Sequence, residues 1–245
     1  MKDFEETYSL SKKILRLTNK AVRDYNMILP GDSVMIGLSG GKDSLVLSLA
    51  LAYFRKRNPV KFKLAACLID HSNGKMEVAR IKSFMNELNI PLEIILHPTY
   101  KIIEERNERF PCGLCANLRR GILADKANEM DCNVVVLGHN KDDAAETVLL
   151  NLFYSGRFKC FHPNLYMTRT KVRVIRPLIH VEENSIDSEA KRLALPIYKT
   201  CCLYEDKSKR KSTKELIAQL EKQAPDLKSN IIHALKSVKD DEIWK

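Results

Sequence analysis

The sequence predicts an α/β protein: a doubly wound, mostly parallel sheet with an N-terminal helix and a basic, helical C-terminal extension. Short β-rich segments alternate with stretches of helical periodicity through the middle of the chain, a pattern typical of a parallel sheet covered by helices on both faces. An amphipathic stretch precedes this region and a lysine-rich stretch follows it. With 245 residues, of which 44% are hydrophobic, the chain is long enough to bury one large core.

The individual elements are predicted from local patterns. Leu10, Ile14, Leu17 and Ala21 keep helical spacing, which predicts a helix over residues 9–27 that ends before Pro30. The predicted strands are 33–38, 62–69, 92–96, 133–137 and 172–178, and the predicted helices are 44–57, 75–89, 113–130, 142–154, 184–194, 212–222 and 227–237. Residues 155–171 are predicted to be a basic irregular segment. We therefore expect an N-terminal helix (1–30), an α/β domain (31–195) and a cysteine-containing basic extension (196–245).

Charge and cysteine content limit the classes of function. The 41 Lys and Arg against 31 Asp and Glu leave a net charge of +10, which favours a polyanionic partner such as nucleic acid, although solubility alone would also explain it. The N-terminus lacks a signal-peptide pattern and no apolar run is long enough to cross a bilayer, so we expect a cytoplasmic protein without a membrane partner. In a reducing compartment, seven cysteines favour metal binding or thiol chemistry over disulfides.

The segment SGGKDS, residues 39–44, lies between a predicted strand and a predicted helix and is the strongest chemical signal. It is not a Walker A loop, because Ile36 stands where that motif needs its first glycine and Asp43 stands where it needs Ser or Thr. Gly40 and Gly41 still allow several N–H groups to converge at a helix N-terminus, where an anion is favoured. The segment therefore predicts a phosphate-binding loop, the alternative being a tight strand-to-helix turn.

SGGKDS resembles the SGGxDS pyrophosphate loop of the ATP pyrophosphatase superfamily. The resemblance implies an adenine nucleotide α-hydrolase-like fold that cleaves ATP between its α and β phosphates. It also implies that Ser39, Gly40, Gly41, Lys42 and Ser44 bind phosphate, with Lys42 acting in catalysis. Asp43 would hold Mg²⁺, a cation that prefers carboxylate and phosphate oxygens.

Two further segments fit the same superfamily. CLIDHS, residues 67–72, ends a predicted strand, and the resemblance implies that Ile69, Asp70 and His71 contact the nucleotide. GHNKDDAAET, residues 138–147, follows another strand; it implies nucleotide contacts from Gly138 and His139 and catalytic carboxylates at Asp142 and Asp143. For Asp142 the alternative is a helix N-cap.

The cysteines narrow the family. Cys112-x-x-Cys115, followed by Arg119 and Arg120, resembles the tRNA 2-thiocytidine synthetase branch of the superfamily, as do GHNKDDAAETVLLNLFYSGR and the RPL at 176–178. The resemblance implies a 4Fe–4S cluster on Cys112, Cys115 and Cys202, with Cys201 as the alternative third ligand, and one iron open for sulfide. Structural zinc and a redox dithiol are the alternatives. Cys67, Cys132 and Cys160 are expected to be buried, Cys160 with the alternative of a sulfur relay.

The resulting hypothesis is ATP-dependent, iron–sulfur-dependent thiolation of an anticodon-loop cytidine of tRNA through an adenylated base. The rival is a non-thiolating ATP-dependent tRNA ligase of the same superfamily with structural zinc. Expected partners are tRNA and a sulfur donor such as a cysteine desulfurase, and the resemblance is compatible with a homodimer. Candidate RNA-binding residues are Arg119, Arg120, Arg157, Lys159, Lys207, Lys209, Arg210 and Lys211.

Overall fold

The computed structural model describes residues 3–72, 74, 76–107, 111–198 and 209–238, and these form six strands and ten helices. The strands are β1 (Ser33–Leu38), β2 (Lys63–Asp70), β3 (Leu92–Leu96), β4 (Val134–Val136), β5 (Asn164–Met167) and β6 (Val172–Ile175). The helices are α1 (Phe4–Thr7), α2 (Lys12–Asp24), α3 (Lys42–Arg57), α4 (Ala79–Glu87), α5 (Thr99–Glu105), α6 (Pro111–Glu129), α7 (Lys141–Ser155), α8 (Glu183–Arg192), α9 (Lys209–Leu220) and α10 (Leu227–Ser237).

The six strands form one sheet in the order β3-β2-β1-β4-β6-β5, in which every neighbouring pair is parallel except β5 with β6. This confirms the predicted doubly wound, mostly parallel sheet. The direction of winding reverses between β1 and β4, and in such sheets ligands bind beyond the carboxyl ends of the strands at that reversal. The loops that follow β1 and β4, residues 39–41 and 137–140, therefore meet at the expected ligand position.

The prediction of an irregular segment over residues 155–171 is wrong in its second half. Residues 164–167 form the edge strand β5, which joins β6 through a short turn with Lys171 at a φ of 57°. The strand pattern is weak, because β5 has only four residues and the basic residues Arg169 and Lys171 stand in the turn that follows it.

Alternating side chains of the central strands supply two separate cores. Val34, Ile36 and Leu38 pack on one face of the sheet with α3, while Met35 packs on the other face with Leu123 of α6. Helix α3 is buried from Ser44 to Phe54 because it lies between the sheet and helices α2 and α8. Helix α3 is therefore held firmly, and its first turn follows directly from β1.

The helix boundaries agree with the predicted ones to within a few residues, apart from two additions. Helix α1 is too short for periodicity to reveal, and it is capped by the Asp3 carboxylate, which accepts a hydrogen bond from the Glu5 N–H. Helix α5 lies within a stretch for which no element was predicted. The two C-terminal helices α9 and α10 both pack against α7. None of the helices among the described residues is long and apolar enough to cross a membrane.

Candidate active site

A solvent-open cavity lies at the carboxyl edge of the sheet between β1 and β4. It is bounded by five parts of the chain: the end of β1 with the start of α3, the end of β2, the loop after β4 with the start of α7, one face of α6, and the first turn of α9. Its lining residues include Ser39, Asp43, Ser44, Ile69, Arg119, Leu123, Gly138, His139, Asp143 and Arg210. The cavity thus combines the end of a parallel strand, a helix N-terminus and charged side chains of both signs.

The loop at residues 39–44 is organised by its two serines. The Ser44 hydroxyl donates to the Gly41 carbonyl at 2.9 Å and lies 3.3 Å from both the backbone N and the Oγ of Ser39. Gly41 is the N-cap of α3, and no side chain caps that helix start. The N–H groups of the first turn therefore remain available to an anion, which the helix dipole favours at this end.

Two glycines let the loops of the cavity approach each other. Gly40 has a φ of 77°, and a Cβ there would lie only 2.6 Å from the Met76 Cε. At Gly138 a Cβ would lie 3.2 Å from the backbone of Asp43 and Ser44. Any larger residue at Gly138 would push the loop after β4 away from the start of α3.

Lys42 is held between two carboxylates. Its ammonium donates to Glu183 at 2.9 Å and to Asp43 at 3.3 Å. Burial acts to lower the pKa of Lys42, but the two carboxylates outweigh it and raise the pKa, so the side chain stays charged. Glu183 also accepts from Lys214 of α9 at 2.5 Å, and despite its burial these two lysines lower its pKa. Glu183 therefore links the loop to the C-terminal helix.

Asp43 and Asp143 both line the cavity and are both positioned by Asn140. The Asn140 amide donates to Asp43 at 2.9 Å, and its carbonyl oxygen accepts from the backbone N–H of Asp143 at 3.0 Å. Asp143 completes a capping box by accepting from the Asn140 N–H. Burial, the largest influence, raises the pKa of Asp143 even though Arg210 acts in the opposite direction.

Arg210 brings the C-terminal helix α9 into the cavity. Its guanidinium donates to Asp143 at 3.0 Å and to Glu146 at 2.8 Å, although half of its side chain is exposed. Burial likewise raises the pKa of Glu146, against the effect of Arg210. Residues 209–220, which sequence reasoning assigned to a separate extension, thus contribute directly to the wall of the cavity.

Asp142 does not line the cavity. Its carboxylate lies 2.5 Å from the Lys228 ammonium of α10 and accepts from the Glu183 N–H at the start of α8 at 2.7 Å. These contacts join α7, α8 and α10, which is a structural arrangement. The prediction grouped Asp142 with Asp143 because they are adjacent, but adjacent helical side chains point about 100° apart.

His139 is set in a buried cationic environment. The Arg176 Nε donates to the His139 Nδ1 at 3.3 Å, and the Phe161 ring packs against the imidazole at an interplanar angle of 40°, with 4.8 Å between ring centroids. Burial, and then the Arg176 charge, hold the pKa of His139 well below its usual value, so the ring is neutral at physiological pH. Because Nδ1 accepts from Arg176, the single ring proton lies on Nε2.

The residues predicted after β2 divide between two roles. Ile69 lines the cavity, whereas the Asp70 carboxylate accepts from the N–H groups of Ser72, Gly74 and Met76 and thus organises its own loop. His71 Nδ1 lies 2.7 Å from the Thr99 hydroxyl, and burial lowers the pKa of His71 to about 4. Neither Asp70 nor His71 lines the cavity.

Helix α6 carries the predicted cysteine pair towards this site. Arg119 and Leu123 line the cavity, and Cys115 lies one helical turn before Arg119 on the same face. That turn corresponds to a rise of about 6 Å along the helix. Cys115 is partly exposed, and Cys112 lies three residues earlier in the first turn of α6. Helical spacing therefore places Cys115 on the stripe of α6 that carries Arg119 and Leu123.

The third predicted ligand, Cys202 or Cys201, lies outside the described residues, as does Lys207. On either side of this segment, Tyr198 donates its N–H to the Gly40 carbonyl at 2.9 Å and Arg210 lines the cavity. Within the described ranges there is no group of three or more His, Cys, Asp or Glu side chains that could hold a metal ion. Cys67 and Cys132 are buried as expected; burial raises the pKa of the Cys160 thiol to about 11, which disfavours the thiolate that a relay would need.

The predicted RNA-binding residues fall into two groups. Arg119 and Arg210 belong to the cavity wall, whereas the others that the structure describes are exposed outside it: Arg120, Arg157, Lys159, Lys209 and Lys211. Sequence reasoning missed four side chains that organise the site: Asn140, Glu146, Arg176 and Glu183. Asn140 and Glu146 belong to the GHNKDDAAET segment and Arg176 belongs to RPL, so membership of these motifs could have identified them. Glu183 lies in no recognised motif.

Comparison with known proteins shows the family to which the chain belongs. Residues 8–214 match the family model described as the PP-loop domain, so the chain belongs to the PP-loop family. Within it, the tRNA-cytidine(32) 2-sulfurtransferase of Legionella pneumophila (strain Philadelphia 1) is 37% identical over 96% of this chain and 84% of its own. That of Alkalilimnicola ehrlichii is 38% identical over 94% and 74%. The chain is a member of this tRNA-cytidine(32) 2-sulfurtransferase family.

A solved structure agrees with this assignment. The U34-tRNA thiolase NcsA from Methanococcus maripaludis, determined with its 4Fe–4S cluster, superposes with a TM-score of 0.76 at 27% identity. The match covers 93% of this chain and 79% of the thiolase.

Proposed function

We propose that this protein is an ATP-dependent tRNA sulfurtransferase that replaces the C2 oxygen of a cytidine in the anticodon loop, at position 32, by sulfur. One observation carries the proposal: the phosphate-binding loop at 39–44 and the helix face that bears Cys115 and Arg119 border the same cavity. Two chemical steps on one base require such a shared space. The names of the relatives supply the substrate and the position.

ATP is proposed to bind with its triphosphate on the start of α3. The free N–H groups there, the hydroxyls of Ser39 and Ser44 and the Lys42 ammonium supply donors for phosphate oxygens. Gly40 and Gly41 let the backbone approach closely. Ile69, Gly138 and His139, which line the cavity, are proposed to contact the nucleotide. Asp43 supplies carboxylate oxygen of the kind that Mg²⁺ prefers, and it would hold that ion together with the phosphates.

The first step is proposed to be adenylation. The C2 oxygen of the cytidine attacks the α-phosphorus, an O–P bond forms, and the bond to the β-phosphate oxygen breaks to release pyrophosphate. Lys42 stabilises the negative charge that develops on the leaving group. Asp143, whose pKa is raised by burial, and Arg210 border the same space and position the reacting groups.

The second step exchanges oxygen for sulfur. Sulfide forms a bond to C2, the C2–O bond breaks, and AMP departs with the original oxygen, so no oxidant or reductant is consumed. Cys112 and Cys115, with Cys202 or Cys201, are proposed to hold a 4Fe–4S cluster. With three protein thiolates such a cluster would have one iron without a protein ligand, and it would supply a site for sulfide. The spacing of the first two on one helix face suits a shared cluster, and the contacts of Tyr198 and Arg210 support a third ligand from the segment between them.

The remaining partners follow from the reaction. tRNA is the substrate, and the cytoplasm is the compartment where the reaction takes place. A sulfur donor such as a cysteine desulfurase supplies sulfur as a persulfide, and two electrons from a thiol reductant convert it to the sulfide that the second step uses. A homodimer remains part of the proposal. The exposed basic residues Arg120, Arg157, Lys159, Lys209 and Lys211 are proposed to hold the RNA backbone.

Reconstitution tests the proposal directly. The full chain, purified anaerobically and supplied with ATP, Mg²⁺, sulfide and unmodified tRNA, should form AMP, pyrophosphate and 2-thiocytidine, which nucleoside mass spectrometry detects. Iron and acid-labile sulfide in a ratio near one, with broad visible absorption, should accompany the activity. A colourless protein with one zinc that forms AMP but no thionucleoside would instead establish the non-thiolating ligase.

A further inference from the structure

We propose that Phe153, Tyr154 and Phe158, here called the aromatic surface, stack against unpaired bases of the RNA substrate next to the base that enters the cavity. The inference rests on the proposed function and adds how the RNA loop is held. Stacking on aromatic rings is the usual way in which proteins bind unpaired bases, because every base has a π-face.

The three rings are unusually exposed. Phe153 is 55% exposed, Tyr154 50% and Phe158 47%, all within six residues at the end of α7 and in the loop that follows. Phenylalanine and tyrosine are usually buried, so three exposed rings so close together indicate a binding surface.

The backbone that carries these rings is fixed. Helix α7 ends at Gly156, which has a left-handed φ of 58°, and the Asn151 carbonyl accepts from the N–H groups of Gly156 and Arg157. The Asn151 amide then donates to the Lys159 carbonyl at 2.8 Å, which ties down the residues on both sides of Phe158. A base that stacks on Phe158 therefore meets a pre-organised loop, and little chain entropy is lost.

The charge around the rings identifies the partner as a polyanion. Residues 147–181 contain six Lys and Arg and no Asp or Glu. Arg157 and Lys159 flank Phe158, and the Lys209 ammonium lies 4.0 Å from the centre of the Tyr154 ring. A second copy of this chain would bring two such positive surfaces together, which is unfavourable, whereas RNA supplies the opposite charge.

The aromatic surface leads into the cavity along the chain. Phe158 is three residues from Phe161, so their Cα atoms are at most about 11 Å apart. The Phe161 ring packs against His139, which lines the cavity. Bases adjacent to one held in the cavity are therefore within reach of Phe158 and Tyr154.

Leucine variants separate stacking from apolar contact. Phe158→Leu and Tyr154→Leu keep apolar bulk but remove the ring, and Phe158→Tyr keeps the ring. Leu29→Ala removes a similarly exposed apolar side chain that precedes β1. Dissociation constants of the full-length variants would be measured for an RNA hairpin with an unpaired loop and for a blunt RNA duplex, at several salt concentrations.

We expect each leucine variant to bind the hairpin roughly 5- to 150-fold more weakly, the usual range for one lost base stack, with little change for the duplex. Phe158→Tyr and Leu29→Ala should bind like the wild type. The salt dependence should keep its slope in the leucine variants, whereas Arg157→Gln should reduce that slope by about one ion.

Three results would overturn the aromatic surface while leaving the proposed function intact, provided that the wild type binds the hairpin and thiolates tRNA. The first is that both leucine variants bind the hairpin as tightly as the wild type does. The second is that their affinity falls equally for the hairpin and the duplex. The third is that the leucine variants lose self-association in sedimentation but retain hairpin binding. A wild-type chain that forms no thionucleoside under the conditions above would overturn the proposed function instead.

Discussion

The Arg176 guanidinium donates from Nε to the Nδ1 of His139 at 3.3 Å and from Nη1 to the His162 carbonyl at 2.5 Å. An arginine cannot accept a hydrogen bond, so His139 is restricted to one tautomer, with its proton on Nε2. The neutral imidazole can then offer a ligand one N–H donor. Arg176 is thus a positioning residue, and its effect on a substrate passes through His139.

The first prediction concerns this tautomer. In Arg176→Leu the His139 ring should populate both tautomers, and its pKa should rise towards the usual value without reaching it, because burial is the larger influence on that pKa. Histidine ring ¹⁵N shifts measured against pH report both quantities. Arg173→Leu, which removes the arginine that pairs with Asp32, is the control and should leave the His139 shifts unchanged. A single Nε2–H tautomer in Arg176→Leu would contradict the assignment.

The second prediction compares two lysines that share a partner. Lys42 and Lys214 both pair with Glu183, but only Lys42 belongs to the loop after β1. Lys42→Met should weaken ATP binding by roughly 10- to 150-fold, the effect expected for a lost hydrogen bond to a charged group. Lys214→Met should change ATP binding by less than about threefold, since exposed ion pairs contribute little. Equilibrium dialysis with labelled ATP measures both, and equal losses would show that the Glu183 link matters rather than the lysine position.

The third prediction separates two aspartates. Asp43→Asn should abolish AMP formation while leaving the melting temperature close to that of the wild type. Asp43 lines the cavity, an asparagine keeps an oxygen that can accept from Asn140, and the 3.3 Å contact with Lys42 is a partly exposed ion pair. Asp142→Asn should retain AMP formation but lower the melting temperature. It loses charged contacts to Lys228 and to the Glu183 N–H, a cost of about 1–3 kcal/mol that lowers the melting temperature by several degrees. Loss of AMP formation in a fully folded Asp142→Asn would instead support the predicted catalytic role of Asp142.

These aspartates also illustrate what the sequence can predict. Local sequence patterns and the ordering rules of parallel sheets predict the sheet and the loop at 39–44. They also predict that the segments after β1 and β4 meet, because the carboxyl ends of parallel strands lie at the same edge of the sheet. Which of two adjacent carboxylates turns into the cavity depends on the phase of α7. That phase is set by the Asn140 cap, and the sequence alone did not identify it.

The contributions of α8 and α9 were harder to predict for another reason. Glu183 contacts Lys42 across 141 residues of sequence, and Arg210 contacts Asp143 and Glu146 across 67 and 64 residues. No motif marks Glu183 or Arg210. In the sequence, a charged residue that lines a site cannot be distinguished from one that is exposed to solvent. The edge strand β5 was missed because one antiparallel pairing at a sheet edge needs only four residues with a weak pattern.

The fourth prediction tests the cysteines one at a time. Cys112→Ser and Cys115→Ser should each lower iron content and visible absorption while ATP binding persists, because α6 and the loop at 39–44 are separate walls of the cavity. Cys67→Ser, buried within β2, serves as the control and should keep its iron. Of Cys201→Ser and Cys202→Ser, one should lose iron and the other retain it, with Cys202 expected to be the ligand. Undiminished iron in Cys112→Ser would remove that residue from the ligand set.

The fifth prediction concerns the stability of the fold against acid. Burial lowers the pKa of His180 to about 4, and the Lys236 charge acts in the same direction. In the unfolded chain this imidazole takes up a proton near its usual pKa of about 6.5, whereas in the folded chain it stays neutral down to about pH 4. The unfolded state therefore binds more protons over this interval, and the free energy of unfolding falls as the pH drops through it. In His180→Gln that dependence should be shallower, by at most about 1.4 kcal/mol per pH unit. Urea titrations from pH 8 to pH 4 measure how the free energy of unfolding changes with pH. His233→Gln alters an exposed histidine of α10 and is the control, which should match the wild type. An unchanged pH dependence in His180→Gln would show that His180 is protonated equally in the folded and unfolded states.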